Sequence, residues 1–337
     1  MQYVRLFFCL IVFGVLFWLS LIFTQNYPFS LKMIWVLFFV GAAFGSFSVA
    51  TAWRLRFKQL SQDQQDGVKL TKEEKKEYSK LKKQFQKNSF FDDRKNLTKD
   101  RSVCLHCGRQ LLWFDMIPVI SWLILGGKCR FCRKPIGRIE FLAEIGLGAL
   151  FVISYIFWPF GFYFNLDSWI NIALGATWLI ILILLTIHII YDSKWMLLLD
   201  KITILIFIFV VLLTIFRFIS GNLVFNQAYF MGLAGSIIIL PLVYGILFFA
   251  SKGNWIGFGD VKLLIPLALG LADFNLAVLV LFLANIFGLI WVIPGLIINK
   301  VDRKSRLAFV PFLILALICA ILFGEFLMQS YFVILGV

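Results

Sequence analysis

Residues 169–192 read WINIALGATWLIILILLTIHIIYD, an apolar run that ends on an aspartate. From Trp169 to Ile190 it carries no Asp, Glu, Lys or Arg, and it is longer than the ~20 residues that a helix needs to cross a bilayer. Backbone groups in lipid need partners within the chain, so such a run is expected to be helical. It predicts a membrane protein with an ionisable residue, Asp192, at the end of a span.

The composition of the whole chain agrees with this interpretation. Of its 337 residues, 61% are hydrophobic and only 15% are charged, whereas about 25% of the residues of a soluble domain are charged. The net charge of +14 could indicate a nucleic-acid partner, but the basic residues flank apolar runs, as the positive-inside rule predicts. We therefore expect membrane lipid around the chain and no nucleic acid.

About nine apolar runs are candidates for membrane spans, which predicts an all-α polytopic membrane protein. They are Leu6–Phe23, Ile34–Trp53, Phe141–Trp158, Trp169–Ile190, Ile202–Ile219, Ala228–Ala250, Val261–Ala272, Ala277–Ile297 and Ala308–Met328. The run Val261–Ala272 is the shortest. The first run could instead be a signal peptide, but its length and the lack of a small-x-small site favour a retained helix.

Four regions follow from the spacing of these runs. Residues 1–53 hold two helices, 54–100 a charged insert, 101–140 a cysteine-containing module and 141–337 a transmembrane core with two aspartates. Most of the 32 basic residues lie between Arg54 and Glu140, which predicts that this segment is cytoplasmic. For the insert, a solvated charged surface and contact with anionic lipid headgroups both remain open.

Four cysteines form two CxxC pairs, Cys104 with Cys107 and Cys129 with Cys132. Two such pairs can surround one tetrahedral Zn²⁺ with sulfur. Two disulfides are the alternative, but they require an oxidising compartment, whereas this segment is expected in the cytoplasm. Because sulfur would fill all four positions, we expect a structural zinc-binding loop and not a catalytic centre.

Acidic residues at membrane spans are costly and are therefore functional candidates. Asp192 and Asp260 are expected at the same cytoplasmic depth, whereas Asp273 falls on the outer side. Two close carboxylates in a low dielectric can share one proton, so that one activates water and the other polarises a peptide carbonyl. Taken alone, each aspartate could equally cap a helix, and Asp200 is a rival partner for Asp260.

The chain resembles the bacterial type IV prepilin leader peptidases, membrane aspartic proteases of the GxGD type, over about residues 39–320. The motifs that carry the resemblance are Gly45-Ser46-Phe47 with Trp53-Arg54-Leu55, the block from Cys104 through Cys132, Glu144, Asp192 with Asp200, and Gly257-Phe258-Gly259-Asp260. The resemblance implies that Asp192 and Asp260 are the catalytic pair and that Asp200 lies outside it. Departures at Ser48 and Leu199 do not touch the two aspartates.

The resemblance also implies a substrate and a location. The family cleaves type IV pilin-like precursors after the Gly that ends a short basic leader, at the cytoplasmic face of the inner membrane. Many members then methylate the new N-terminus with S-adenosylmethionine. This second activity rests on the resemblance alone, because the chain has no nucleotide-binding fingerprint. A presenilin-like GxGD protease and a non-enzymatic membrane assembly protein are the alternatives.

Overall fold

The computed structural model describes residues 31–86, 104, 106–160, 168–254, 256–297 and 307–335. Eleven α-helices occur in these ranges. They are α1 (Leu31–Gln65), α2 (Lys72–Gln86), α3 (Ile120–Leu125), α4 (Arg138–Ile156), α5 (Trp169–Trp195), α6 (Asp200–Ile219), α7 (Gln227–Ile237), α8 (Val243–Ala250), α9 (Phe258–Leu271), α10 (Phe274–Ile297) and α11 (Val310–Leu335). A 3₁₀ turn covers Trp113–Met116, and a π-helical turn, Ile238–Leu242, joins α7 to α8.

Seven of the described helical segments are long and apolar enough to cross a membrane. They are α1, α4, α5, α6, the continuous segment α7–α8, α10 and α11. The all-helical, polytopic prediction is therefore confirmed. The predicted first span, Leu6–Phe23, lies outside the described residues, and the run Val261–Ala272 corresponds to α9, whose 14 residues fall short of a span.

The chain divides into two compact units, residues 1–150 and residues 151–337. Within the first unit, α1 continues past the predicted end of its span at Trp53 and reaches Gln65. It stops where Gly67 adopts a left-handed φ of 73°, a conformation that Gly takes at little cost. The first part of the charged insert is thus a helical continuation of the candidate membrane span.

Helix α2 starts with a reciprocal cap. The Glu74 N–H donates to the Thr71 hydroxyl at 3.3 Å, and the Thr71 N–H donates to the Glu74 carboxylate at 3.0 Å. These bonds from Thr71 lower the pKa of Glu74 below its usual value. Arg56 of α1, only 4% exposed, forms ion pairs of 3.3 Å with both Glu74 and Glu77. The insert therefore folds, at least in part, as a helical hairpin.

Helices α1 and α4 approach each other closely at two glycines of the first unit. A Cβ at Gly45 would overlap the backbone carbonyl of Ala143, and a Cβ at Gly148 would lie 2.9 Å from the Phe38 carbonyl oxygen. Small residues allow such backbone contact between membrane helices. Gly45 belongs to the first sequence motif, so the motif has a packing role here.

We expect Gly45→Ala to destabilise the protein by about 1–3 kcal/mol, because α1 and α4 must separate to admit the methyl group. Gly146→Ala on α4 is the matched control, since a Cβ there meets nothing within 4 Å. Ala favours a helix over Gly by up to ~1 kcal/mol, so this variant should unfold no earlier than wild type. The measurement is the thermal unfolding midpoint in detergent. Equal midpoints for both variants would contradict the close-packing interpretation.

In the second unit α5 is the most buried of the candidate membrane spans. It packs against α6 and α11, while α9 packs against α6 and α7, and α10 packs against α11. The largest fully buried side chains include Trp178 and Tyr191 on α5 and Leu263 on α9. Large apolar side chains such as Phe230 and Trp291 are exposed, as expected for helix surfaces whose solvent is lipid.

Candidate active site and metal centre

The four cysteines lie together on two matching turns. Within each turn, the residue after the second cysteine has a left-handed φ, 68° at Gly108 and 59° at Arg133. Its N–H donates to the carbonyl of the first cysteine, at 2.9 Å to Cys104 and 3.0 Å to Cys129. The N–H groups of these two cysteines donate in turn to the carbonyls of Arg109 and Lys134, both at 2.9 Å. The two CxxC segments thus repeat one hydrogen-bond pattern.

Their sulfur atoms form a compact cluster. All four Sγ atoms lie within 4.8 Å of one another, and the Cys104 and Cys132 Sγ atoms are 4.0 Å apart. Tetrahedral Zn–S bonds of about 2.3 Å would separate sulfurs by about 3.8 Å. None of these four cysteines forms a disulfide. The donor set fits one thiophilic cation such as Zn²⁺.

Ring stacking and an ion pair hold the cysteine module together. Arg130 forms a 2.8 Å ion pair with Asp115, whose side chain is only 3% exposed, and its guanidinium lies 4.8 Å from the centre of the Phe114 ring. Trp122 stacks on Phe141 of α4, with ring centres 4.1 Å apart. The block between the CxxC pairs therefore fixes the module onto the start of α4.

Glu144 holds a strained turn in this block. Val119 has φ 62° and ψ −52°, and the Ile120 N–H donates to the Pro118 carbonyl at 2.6 Å, so Val119 is the centre of a γ-turn. The Glu144 carboxylate accepts the Val119 N–H at 2.7 Å and also bonds to Ser46. Glu144 is therefore placed to support the module, which favours a structural role for this residue.

The two aspartates belong to the second unit, on α5 and α9. Asp192 lies near the C-terminal end of α5 and is 5% exposed, and Asp260 is in the first turn of α9. The carboxylates are close enough for an electrostatic interaction to couple them. The fold thus brings together two carboxylates that are 68 positions apart in the sequence.

Each carboxylate accepts a hydrogen bond from the backbone at a helix start. The Val310 N–H, at the first residue of α11, donates to Asp192 Oδ2 at 3.2 Å. Asp260 accepts a bond from the Gly257 N–H, at the N-cap of its own helix. Free N–H groups and the positive end of the helix dipole favour anions at these positions. Both carboxylates are therefore oriented, and neither is buried without compensation.

Asp200 forms a different interaction. Its two oxygens lie 3.0 and 2.9 Å from Lys262 Nζ, and its side chain is 63% exposed. The ion pair joins the start of α6 to the start of α9, two residues after Asp260. Asp200, the alternative partner for Asp260, is thus paired with Lys262 at the protein surface.

We expect Asp200→Asn to change the free energy of unfolding by less than ~1 kcal/mol, because exposed ion pairs are worth little. Peptide cleavage by this variant should continue at a rate close to that of wild type, as measured from initial rates of leader release. A loss of cleavage in folded protein as large as that of Asp192→Asn would instead place Asp200 in the reacting pair.

Sequence reasoning did not identify three groups near the aspartates. Tyr244 of α8 interacts electrostatically with Asp260, and the Val310 N–H bonds to Asp192. His188, buried one turn before Asp192, hydrogen-bonds to Thr203 of α6 at 3.1 Å. Tyr244 could have been found from the sequence, because it is a polar ring within an apolar run. The Val310 N–H could not, because a backbone group of a distant helix has no signature in the sequence.

Known proteins match the chain over both units. Residues 39–158 match the Bacterial Peptidase A24 N-terminal domain, and residues 178–293 match the Type IV leader peptidase family. The chain matches no solved structure.

Three relatives, each named prepilin leader peptidase/N-methyltransferase, illustrate the similarity. The protein from Dichelobacter nodosus is 30% identical over 237 residues, which is 70% of this chain and 76% of the relative. Those from Stutzerimonas stutzeri and Pseudomonas aeruginosa are 28% and 26% identical, again over 70% of this chain and 76% of each relative. The resemblance drawn from the motifs is thereby confirmed, and the chain belongs to the type IV leader peptidase family.

Proposed function

We propose that this protein is a prepilin leader peptidase, a membrane-embedded aspartic endopeptidase that cleaves type IV pilin-like precursors after the leader Gly. The observation that carries the proposal is the coupled pair Asp192 and Asp260 at one end of the helices of the second unit. The names of the relatives support the substrate class.

The two carboxylates supply general acid–base catalysis. One, ionised, takes a proton from water as the water oxygen attacks the carbonyl carbon of the leader Gly, and the other, protonated, polarises the carbonyl oxygen. The C–N bond then breaks, and the leaving amine takes up a proton from the pair. Two carboxylates that share one proton act as a unit, so neither aspartate is assigned one fixed role.

We infer that the reacting end of the second unit faces the cytoplasm, in the bacterial inner membrane. Lys194, Lys201 and Lys262 lie at the same helix ends as the aspartates, which supports this orientation by the positive-inside rule. We also propose about nine transmembrane helices, a number that adds the run Leu6–Phe23 and the short α9 to the seven candidate spans. A basic leader that stays in the cytoplasm then places its cleavage site at the same membrane depth as the two aspartates.

We propose four regions: helices in 1–53, the charged insert 54–100, the zinc module 101–140 and the catalytic core 141–337. Cys104, Cys107, Cys129 and Cys132 would hold Zn²⁺ in a closed sulfur shell, which would stabilise a module that has few fully buried apolar side chains of its own. An ion held by four sulfurs would have no open position for water or substrate, so we assign it a structural role.

We infer a second activity, N-methylation of the new N-terminus with S-adenosylmethionine, from the names of the relatives. The sequence has no glycine-rich nucleotide loop, and no residue is assigned to this co-substrate. The reaction would transfer one methyl group to the amine that leader cleavage releases.

The experiment is cleavage of a pilin-like precursor by the purified protein in proteoliposomes, with products identified by mass spectrometry. We expect a product that begins directly after the leader Gly, and one methyl group more when S-adenosylmethionine is added. A precursor in which Leu replaces the leader Gly is the control and should stay intact. Cleavage within the apolar helix would favour a presenilin-like protease. Binding without cleavage would favour an assembly protein and overturn the proposal.

A further inference from the structure

Tyr244 is a polar side chain beside the two aspartates that the acid–base mechanism leaves without a role. It lies on α8 and is 4% exposed, and it interacts electrostatically with Asp260. Its ring packs against Phe309, with ring centres 5.9 Å apart. Phe309 precedes Val310, whose N–H donates to Asp192. Tyr244 therefore lies beside Asp260 and packs on the residue that precedes the hydrogen-bond donor of Asp192.

A local irregularity of the helix sets the direction of this side chain. Before the irregularity, the Ser236 hydroxyl of α7 donates to the Ala268 carbonyl of α9 at 2.9 Å, which fixes α7 against the helix that carries Asp260. The π-helical turn Ile238–Leu242, which contains Pro241, follows. One extra residue in a turn rotates everything after it by about 100° about the helix axis. The turn thus decides which face of α8 meets Asp260, and Tyr244 is on that face.

Among the residues that the structure describes, Asn285 is the hydrogen-bond partner of the Tyr244 phenol, and this bond leaves the phenol proton available for a ligand. Asn285 of α10 hydrogen-bonds to the Tyr244 side chain, and the same amide donates to the Leu281 carbonyl at 2.7 Å. An amide N–H₂ can donate twice, whereas a phenol both donates and accepts. With Asn285 as donor, the Tyr244 oxygen is the acceptor and its O–H can point toward the carboxylates.

A buried phenol is costly unless its hydrogen bonds are made. A Phe at this position would pack on Phe309 equally well and would need no partner. Among the described residues the phenol makes no direct hydrogen bond to either carboxylate, so its O–H is not already used by the aspartate pair. An O–H directed toward this pair matches the charge that develops on the carbonyl oxygen.

We propose that Tyr244 is a further catalytic residue, whose O–H donates a hydrogen bond to the scissile carbonyl oxygen and to the oxyanion formed when water adds. Water forms the new C–O bond, its proton passes to the ionised aspartate, and the carbonyl electron pair moves onto the oxygen. When the oxyanion collapses, the C–N bond breaks and the amine takes the proton from the aspartate pair. Tyr244 keeps its own proton throughout. This inference rests on the proposed peptidase function.

The test is Tyr244→Phe in the full-length protein, reconstituted with a pilin-like precursor whose leader ends in Gly. We expect kcat to fall on the order of 10²-fold, because one donor to the oxyanion is removed. KM and the thermal unfolding midpoint should stay close to wild type, since the ring still packs on Phe309. A role in folding alone would lower the midpoint, and a role in binding alone would raise KM.

Tyr229→Phe is the matched control, because this phenol lies beside Arg217 near the start of α7, at the other end of the segment. It should retain wild-type kcat. A wild-type kcat for Tyr244→Phe, or a change in KM or midpoint alone, would overturn the assignment while wild type still cleaves. Absence of cleavage by wild type, or full cleavage by Asp260→Asn, would instead show that the proposed function has failed, and the role of Tyr244 with it.

Discussion

Asp192→Asn and Asp260→Asn are each expected to lower kcat for leader cleavage by a factor on the order of 10⁴. Either change leaves one ionisable carboxyl group where the reaction needs two that share a proton. The amide has nearly the shape of the carboxylate, and its oxygen can still accept the N–H of Val310 or of Gly257. The fold should therefore survive, and the loss should lie in the chemical step. Initial rates of leader release in proteoliposomes measure it.

Two further variants serve as controls for this result. Asp273→Asn changes the carboxylate that accepts the Leu276 N–H at 2.9 Å, in the turn that starts α10, away from the reacting end. Asn also caps helices well, so both stability and rate should be retained. Asp200→Asn tests the aspartate that Lys262 holds. Full cleavage by Asp192→Asn or Asp260→Asn would refute the carboxylate mechanism.

The losses of kcat in the two single variants should not combine in the double variant. If the carboxylates act as one unit, the variant with both Asn residues should be about as slow as either single variant. Independent contributions would multiply instead. This comparison separates a shared-proton pair from two residues that assist catalysis separately, and the unfolding midpoint of the double variant shows whether the protein is still folded.

Hydropathy predicted where membrane spans lie but not where helices end. The apolar run that ends at Trp53 marks the edge of the bilayer, yet α1 continues to Gln65, because polar residues such as Lys58 and Gln62 are acceptable in a solvated helix. The apolar run Val261–Ala272 also missed the start of α9, because this helix begins at Phe258 and carries the polar Asp260 in its first turn.

The pairing of the aspartates shows where sequence reasoning stops. Charge counting placed Asp192 and Asp260 at one depth, and the family motifs preferred Asp192 to Asp200. Their proximity depends on how α5, α9 and α11 pack, which spacing along one chain does not encode. The rotation of Tyr244 toward Asp260 depends on a π-helical turn, and Pro241 gave only a general signal of irregularity there.

The other large expected effect concerns the metal. Purified protein should contain about one zinc per chain, and Cys104→Ser combined with Cys107→Ser should contain none, because one whole side of the cation's shell is lost. Structural zinc contributes about 10–16 kcal/mol to small domains at neutral pH, and the module has few fully buried apolar side chains that could replace this contribution. We expect residues 104–137 to become sensitive to protease. Elemental analysis and limited proteolysis measure the two effects.

Cys319→Ser is the control, since this cysteine lies on α11 outside the cluster, and it should keep its zinc. The single variants Cys104→Ser and Cys129→Ser give a sharper test. Because the two turns repeat the same hydrogen bonds, removal of the first cysteine from either one should weaken zinc binding to a similar degree. The zinc site would be refuted if wild-type protein without metal resisted protease. It would also be refuted if thiol titration found that the four cysteines form two disulfides. A marked difference between the two single variants would mean that only one turn is preformed.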